Sequence, residues 1–236
     1  MKKLLKWLLI KIPVAFLLLS LALVLFFRFL PVWITPYMVI DAVEHRSDPD
    51  YKLRHHWVRM EKVSPQLRMA VIAGEDQRFF EHKGFDMTEV KKMLKDHRER
   101  GKRIRGCSTI SQQTAKNVFT FCTNTAVRKG LEAWWTFLIE RLWGKERILE
   151  VYLNVAEMGP GIFGAEAAAQ RYYGKPASGL SRNEAAGYGF AVSTEAKQDP
   201  MAGESPMIYT YSAGRFPELA RAIAEKRLYF PAIDKF

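Results

Sequence analysis

Two adjacent acidic side chains, Glu75 and Asp76, stand at the end of an apolar run within AVIAGEDQRFFEHKG (residues 70–84). Ser64 and Pro65 before this run are typical of an N-cap and a first helical turn, so the acids are predicted to end a buried helix. Carboxylates at a helix C-terminus cost about 0.3 to 1 kcal/mol each. A locally unfavourable choice of this kind indicates function, and the chemistry it offers is that of a carboxylate.

Hydroxyls and amides cluster in a second stretch, GCSTISQQTAK (residues 106–116). Ser108 is predicted to cap a helix whose first-turn amides and two hydroxyls could bind an anion or a sugar. Gln112 and Gln113 point to different sides of that helix, and Lys116 lies one turn beyond Gln112. Taken alone this is a weak signal, because hydroxyl caps and glutamines are common.

A third stretch places Arg128 and Glu132 four residues apart, and therefore on one face of a helix. The ordinary interpretation is a surface ion pair worth about 0.2 to 0.5 kcal/mol. The functional interpretation makes Glu132 a second active-site carboxylate with basic neighbours. Residues 97–106 form a basic loop that could lie near an anionic ligand. Without other evidence, an ordinary charged surface loop is the favoured interpretation.

Other reaction classes lack their characteristic residues in this sequence. No HExxH or CxxC spacing, GxSxG elbow, Walker loop or SxxK pattern occurs, and the five histidines are scattered, so no metal site is predicted. What remains is carboxylate chemistry assisted by hydroxyls, amides and cations. A sugar substrate fits that set.

Helices must position these groups, because no strand pattern is longer than a few residues and no internal repeat is present. The part of the chain after the N-terminal apolar segment is therefore predicted to be mostly helical. Besides the helix that ends at the two acids, predicted helices cover 87–100, 108–119, 128–143, 145–154, 165–173, a segment beginning at Ser181, and 217–229.

The N-terminus predicts a membrane anchor. Four lysines within residues 1–11 precede an uncharged run over residues 12–27, and the apolar character continues across Arg28 to Ile34. About 20 such residues span a bilayer, and the lysines place the N-terminus in the cytoplasm. A cleaved signal peptide is the alternative, but no small-x-small site follows. The net charge of +11 implies anionic partners, and export argues against nucleic acid and leaves a bilayer surface or a phosphorylated substrate.

Two cysteines, Cys107 and Cys122, flank the helix predicted over residues 108–119. That helix would be roughly 16 to 18 Å long, whereas disulfide Cα atoms come within about 7 Å, so free thiols are predicted. Residues 37–57 are predicted as a juxtamembrane linker. Its basic residues either contact lipid head groups or form a solvated surface.

Four ordered segments carry a family resemblance: EDQRFFEHKG, GCSTISQQTAKN, RKGLE and KERILEVYLN. They resemble the first four motifs of the peptidoglycan glycosyltransferases, whose domain also occurs in class A penicillin-binding proteins. The similarity covers roughly residues 58–187, and the single anchor resembles the monofunctional enzymes. It implies an anchor (1–36), the linker (37–57) and a lysozyme-like helical domain (58–236). That domain would lie outside the bacterial cytoplasmic membrane and polymerise lipid II into glycan strands.

The resemblance also implies roles for single residues. Glu75 matches the essential base and Glu132 the second functional carboxylate, while Tyr152 belongs to a fourth motif that mainly supports the fold. No tightly bound cofactor is implied, but Mg²⁺ or Mn²⁺ sometimes assists at the substrate pyrophosphate. The implied partners are lipid II, the growing glycan, the membrane and other cell-wall synthesis proteins. The residues expected to bind substrate are Asp76, Phe79, His82, Ser108, Thr109, Gln112, Gln113, Lys116, Arg128 and Lys129.

The implied reaction suits these groups. A sugar hydroxyl must lose its proton as it attacks an anomeric carbon that carries a lipid pyrophosphate, and Glu75 can take that proton. Inversion places the base opposite the leaving group, whose charge would be stabilised by Lys116, Arg128 and Lys129. Glu132 would orient those cations or a metal.

Several positions depart from the family pattern. Asn124 stands where an arginine usually helps bind pyrophosphate, and Cys107 replaces a small residue, either passively or as an unusually acidic thiol. After Glu184 the sequence diverges, and Arg221 is the best candidate for the fifth motif's arginine. These departures leave open a degenerate homologue that binds lipid II without turnover. A lysozyme-like hydrolase or lytic transglycosylase also stays open, because its fold and catalytic acid are related.

Overall fold

The computed structural model describes residues 2–101, 107–121 and 125–185. Helices dominate this part of the chain, as predicted. The helices are α1 (Lys2–Phe29), α2 (Pro36–Glu44), α3 (Pro65–Glu75), α4 (Met87–Arg100), α5 (Ile110–Phe119), α6 (Thr125–Leu142), α7 (Lys145–Val155) and α8 (Ala165–Tyr173), with 3₁₀ turns at Met60–Lys62 and Ala177–Gly179.

A small sheet of three strands completes the architecture. The strands are β1 (Arg54–His55), β2 (Glu157–Gly159) and β3 (Ile162–Phe163), in the order β1-β3-β2. β1 runs parallel to β3, and β2 and β3 form an antiparallel hairpin. The hairpin lies where the sequence predicts only a break, because glycines around Pro160 turn the chain back on itself.

Helix α5 lies at the centre of the domain, with α6 and α7 packed against it. Its apolar face contributes Ile110, Ala115 and Val118 to a core that includes the fully buried Ile139 of α6 and Tyr152 of α7. The polar side of α5 is therefore held between two other helices. This placement decides what its two glutamines can reach.

The segment over residues 37–57 packs onto the domain. Met38 of α2 is fully buried, and the Tyr51 hydroxyl donates a hydrogen bond of 2.5 Å to the Oδ2 atom of the buried Asp41. Arg54 and His55 form β1, which pairs with β3 in the sheet. A packed segment of this kind restricts movement of α1 relative to the helices that follow β1.

Helix α1 contains a candidate membrane span, Leu9–Phe29, of 21 residues. At 1.5 Å per residue it is about 32 Å long, close to the ~30 Å hydrocarbon thickness of a bilayer. The helix ends at Phe29, so the apolar residues that continue to Ile34 lie outside it. Length and composition therefore fit a single-pass anchor.

The C-terminal half of α1 packs against the domain. The Trp143 indole donates to the Val24 carbonyl at 2.7 Å, and the Trp134 indole donates to the Ser20 hydroxyl at 3.2 Å. Arg147 donates to the Phe27 carbonyl at 2.8 Å, which satisfies one of the carbonyls that every helix leaves unpaired at its C-terminus. The C-terminal half of α1 is thus held against α6, α7 and the short connection between them.

Candidate active site

The acidic pair at the end of α3 has a structural explanation in the start of α5. Glu75 is the last residue of α3 and Asp76 is its C-cap. Asp76 Oδ2 accepts a hydrogen bond of 3.0 Å from the Ile110 amide, the first residue of α5. A carboxylate is favoured at a helix N-terminus, so the cost at the end of α3 is offset at the start of α5.

His82 and Gly84 complete this junction between α3 and α5. His82 Nε2 lies 2.9 Å from Asp76 Oδ1, and the Gly84 amide donates to His82 Nδ1 at 3.2 Å. The Thr109 hydroxyl donates to the Gly84 carbonyl at 2.6 Å. The side chains of Asp76 and His82 are only 3% and 6% exposed. These contacts fix the position of α5 relative to the end of α3. Asp76 and His82 would therefore affect substrate binding indirectly, through the positions of those two helices.

Gly84→Ala should destabilise the domain by about 1 to 3 kcal/mol through crowding, with a further ~1 to 2 kcal/mol from its left-handed backbone. Gly84 has φ +95°, and an added Cβ would lie 2.8 Å from Thr136 Cγ2. Gly101→Ala is the control, since φ is +61° but no atom lies within 4 Å of the added carbon. Urea unfolding of both variants measures the difference. Equal losses of stability would contradict the crowding.

Helix α5 begins at a capping box formed by Thr109 and Gln112. Thr109 is the N-cap, which corrects the prediction that Ser108 has this role. The Thr109 hydroxyl accepts a hydrogen bond from the backbone N–H of Gln112 at 3.1 Å. In return, the side-chain oxygen Oε1 of Gln112 accepts one from the backbone N–H of Thr109 at 3.1 Å. Ser108 instead lies next to the third stretch, with its hydroxyl 3.5 Å from Lys129 Nζ.

The two glutamines of α5 reach two different carboxylates. Gln113 Nε2 donates to Glu75 Oε2 at 2.7 Å, whereas Gln112 Nε2 makes a long contact of 3.5 Å with Glu132 Oε1. Consecutive residues of an α-helix are about 100° apart, so adjacent side chains face different neighbours. One helix therefore holds both predicted catalytic carboxylates, and the predicted divergence of the glutamines is present.

Glu132 is a buried carboxylate rather than half of a surface ion pair. It is 1% exposed, and its Oε1 accepts from Lys129 Nζ at 2.6 Å. The ion pair is thus with Lys129 and not with Arg128, which is partly buried. Glu132 Oε2 has no hydrogen-bond partner among the described residues. Burying an uncompensated carboxylate oxygen is costly, which favours a cationic ligand beside it.

Lys116 occupies a different environment from Lys129. Its ammonium lies 5.5 Å from the centre of the Tyr37 ring, and the Tyr37 hydroxyl donates to Glu157 Oε2 at 3.0 Å. Burial raises the pKa of Glu157, while the charge of Lys116 acts in the opposite direction. Because Tyr37 belongs to α2, this contact links the segment after the anchor to α5.

Phe79 belongs to a buried contact network that sequence patterns do not reveal. It is fully buried, and Lys145 Nζ lies 4.5 Å from the centre of its ring. Lys145 also donates to Glu140 Oε1 at 2.6 Å, and the Ser111 hydroxyl donates to the same oxygen. A contact between Phe79 and substrate would therefore have to be indirect. An acid within the apolar stretch TFLIERL was the available signal for Glu140.

Several sequence-based expectations fall on residues outside the described ranges. They are the expectations for Cys122, for Asn124, for the predicted helix over 217–229 with Arg221, and for residues 102–106 of the basic loop. Cys107 is described, and burial followed by the charges of Glu89 and Asp86 raises the pKa of its thiol. The structure thus does not support an unusually acidic thiol there. The predicted absence of a disulfide stays a prediction.

Comparison with known proteins identifies a matching family and several similar proteins that share one name. A family model described as Transglycosylase matches residues 42–204. A "Biosynthetic peptidoglycan transglycosylase" of Bacteroides thetaiotaomicron is 52% identical over 164 residues, which are 69% of this chain and 66% of the relative. Proteins of the same name from Caulobacter vibrioides and Aeromonas hydrophila are 53% and 56% identical, over 69% and 57% of each chain respectively.

Proposed function

The chain belongs to the transglycosylase family, and from that premise we propose how its residues polymerise peptidoglycan glycan strands. Glu75 acts as the general base, and Glu132 with Lys129 acts on the leaving group. The substrate is lipid II, and the products are a β-1,4-linked glycan and a polyprenyl pyrophosphate. The chain spans about two thirds of the length of the first relatives it matches, at 66% and 69%.

The observation that carries this proposal is the separate engagement of two carboxylates by one helix. Gln113 donates to Glu75 and Gln112 approaches Glu132, so each acid has its own neighbours on α5. Inverting transfer needs a base on one face of the sugar and stabilised negative charge on the other. Two acids with different electrostatic partners suit those two tasks.

Glu75 would accept the proton of the attacking hydroxyl. The oxygen of that hydroxyl forms the new bond to the anomeric carbon while the bond from that carbon to the pyrophosphate oxygen breaks. The hydrogen bond from Gln113 orients the carboxylate before the acceptor arrives, which lowers the cost of reaching the transition state. The proton ends on Glu75, and the bonding electrons leave with the pyrophosphate.

The leaving group needs its negative charge stabilised. Lys129 is suited to this because its ammonium is held 2.6 Å from Glu132 Oε1 and yet its side chain is 49% exposed. A charge-assisted contact to a phosphate oxygen would strengthen as the bond breaks. Arg128, on the same helix, is the second candidate for this cluster.

A divalent cation carried by the pyrophosphate would fit beside Glu132. No group of three or more acidic, histidine or cysteine side chains is arranged for a metal within the described part of the chain. Mg²⁺ nevertheless often binds through one or two carboxylates and substrate phosphates, and Glu132 Oε2 has no hydrogen-bond partner there. Such an ion would supply further stabilisation of the leaving group.

The anchor would keep the site beside its lipid-linked substrate. The lysines before the span favour a cytoplasmic N-terminus, and the catalytic domain would then lie outside the cytoplasmic membrane. Trp143 and Arg147 contact Val24 and Phe27, which lie in the C-terminal part of the candidate span, and these contacts support attachment of the domain directly to that part of the span.

Purified full-length protein should convert labelled lipid II into a polymer that a muramidase digests. Isolated cell wall serves as the second substrate, because the competing functions differ on it. Release of soluble muropeptides from the wall without polymer would indicate a glycan-cleaving enzyme. Saturable lipid II binding without polymer would indicate a binding homologue, and either result would overturn the proposal.

A further inference from the structure

We propose that Tyr152 is a positioning residue for the reaction, acting on Glu75 through Gln113. This inference rests on the proposed function, since it assigns a role in presenting the base. The resemblance places Tyr152 in a motif that mainly supports the fold, and nothing in that role requires a hydroxyl. The side chain is fully buried in α7, where a phenylalanine would fill nearly the same space.

A continuous chain of hydrogen bonds joins Tyr152 to the base. The Tyr152 hydroxyl donates to Gln113 Oε1 at 3.3 Å, and Gln113 Nε2 donates to Glu75 Oε2 at 2.7 Å. An ionised carboxylate only accepts, so the amide must turn its nitrogen toward Glu75 and its oxygen toward Tyr152. Each bond in the chain thereby determines the direction of the next.

The tyrosine hydroxyl keeps its proton in this environment. Burial raises the pKa of Tyr152 well above its usual range, and the charges of Glu75 and Asp76 raise it further. The hydroxyl is therefore a permanent donor over the pH range in which the enzyme would work. A donor in this place favours the amide orientation that supports Glu75 and disfavours rotation of Gln113 toward other partners.

The neighbouring glutamine has the same kind of support from a different group. Gln112 Oε1 accepts from the Thr109 amide at 3.1 Å, and its nitrogen faces Glu132. In both cases the amide oxygen is occupied by a donor and the amide nitrogen faces a carboxylate. For Gln112 the donor is backbone, whereas for Gln113 it is a side chain that a substitution can remove.

Tyr152→Phe should lower kcat for lipid II polymerisation about three- to tenfold, the size expected for losing one ordinary hydrogen bond, with KM unchanged. Tyr173→Phe is a matched control, because the Tyr173 hydroxyl also makes a 3.3 Å bond, to the Glu184 carbonyl. Melting temperatures of both variants report any loss of stability. Equal kcat values for the two variants would overturn the proposal, as would a Tyr152→Phe effect confined to KM.

Combining Tyr152→Phe with Gln113→Met tests whether the effect passes through Gln113. On the Gln113→Met background, Tyr152→Phe should change kcat less than twofold, because the link it acts through is gone. An undiminished three- to tenfold loss would contradict positioning through Gln113. Failure of the proposed function is distinguishable, since the unaltered protein would then make no polymer, whereas failure of this inference leaves that activity intact.

Discussion

Glu75→Gln is expected to lower kcat for glycan polymerisation by about 10²- to 10⁴-fold, the usual contribution of a general base. The amide has the same shape as the carboxylate, and its oxygen can still accept the hydrogen bond from Gln113, so packing at the end of α3 should persist. The variant cannot take a proton from the acceptor hydroxyl. Initial rates with labelled lipid II measure the loss, and lipid II binding should remain within about threefold, since the base contributes chiefly in the transition state.

Glu81→Gln is the control for this substitution. Glu81 lies six residues further along the chain, and its side chain is 62% exposed in an ion pair with Arg78. Its replacement removes one negative charge near the site without touching the junction between α3 and α5. Similar losses of kcat in the two variants would show that charge near the site, rather than the carboxylate of Glu75, sets the rate.

Glu132→Gln is expected to lower kcat/KM by about 10²- to 10³-fold, the size seen when a preorganised charge-stabilising group is lost. The substitution removes the charge that holds Lys129 Nζ 2.6 Å away. Lys129 is then no longer fixed where the departing pyrophosphate would need it. Steady-state kinetics over a range of lipid II concentrations gives kcat/KM, and circular dichroism checks that the buried substitution leaves the helices intact.

Glu89→Gln provides the comparison for the loss of an ion pair at the same spacing. Glu89 pairs with Lys92 at 3.4 Å on α4, and both side chains are largely exposed. An exposed pair of this kind contributes little, so activity and stability should hardly change. A Glu132→Gln enzyme with wild-type kcat/KM would remove Glu132 from the mechanism and leave its burial unexplained.

Local sequence signals predicted the helices well because caps and breakers act over one turn. The structure confirms α4 and α8 with the predicted bounds, and Asp86 accepts from the Thr88 and Glu89 amides as an N-cap should. Errors occurred where competing local caps existed. Ser108 and Thr109 are adjacent hydroxyl residues, and only Thr109 has a Gln three positions later to close the capping box.

Contacts between distant segments were beyond these signals. From the sequence, Asp76 is an unfavourable carboxylate at the end of α3. The compensating hydrogen bond comes from the Ile110 amide at the start of α5, 34 residues later, and the sequence does not show that contact. The same limit applies to Glu140, whose partner Ser111 lies on α5, and to Tyr152, whose hydroxyl reaches Gln113 because α7 packs on α5. Pairing of side chains across helices depends on tertiary packing, which periodicity does not encode.

The expected roles of the site residues also depend on contacts between helices that the sequence does not show. The resemblance implied Glu75 and Glu132 as functional acids, and the structure gives them separate partners on α5. The side chains of Phe79, Asp76 and His82 are buried against the protein, and the expectation that they bind substrate stays a prediction. Motif membership alone does not separate a residue that contacts substrate from one that holds such a residue in place.

The pH dependence of the single-turnover polymerisation rate tests the central claim most directly. A general base must be ionised, so the wild-type rate should fall at acidic pH, where the carboxylate of Glu75 becomes protonated. The residual rate of Glu75→Gln should lack that decline, because the group responsible is gone. An identical acidic decline in the variant would assign the ionisation to another group and contradict Glu75 as the base.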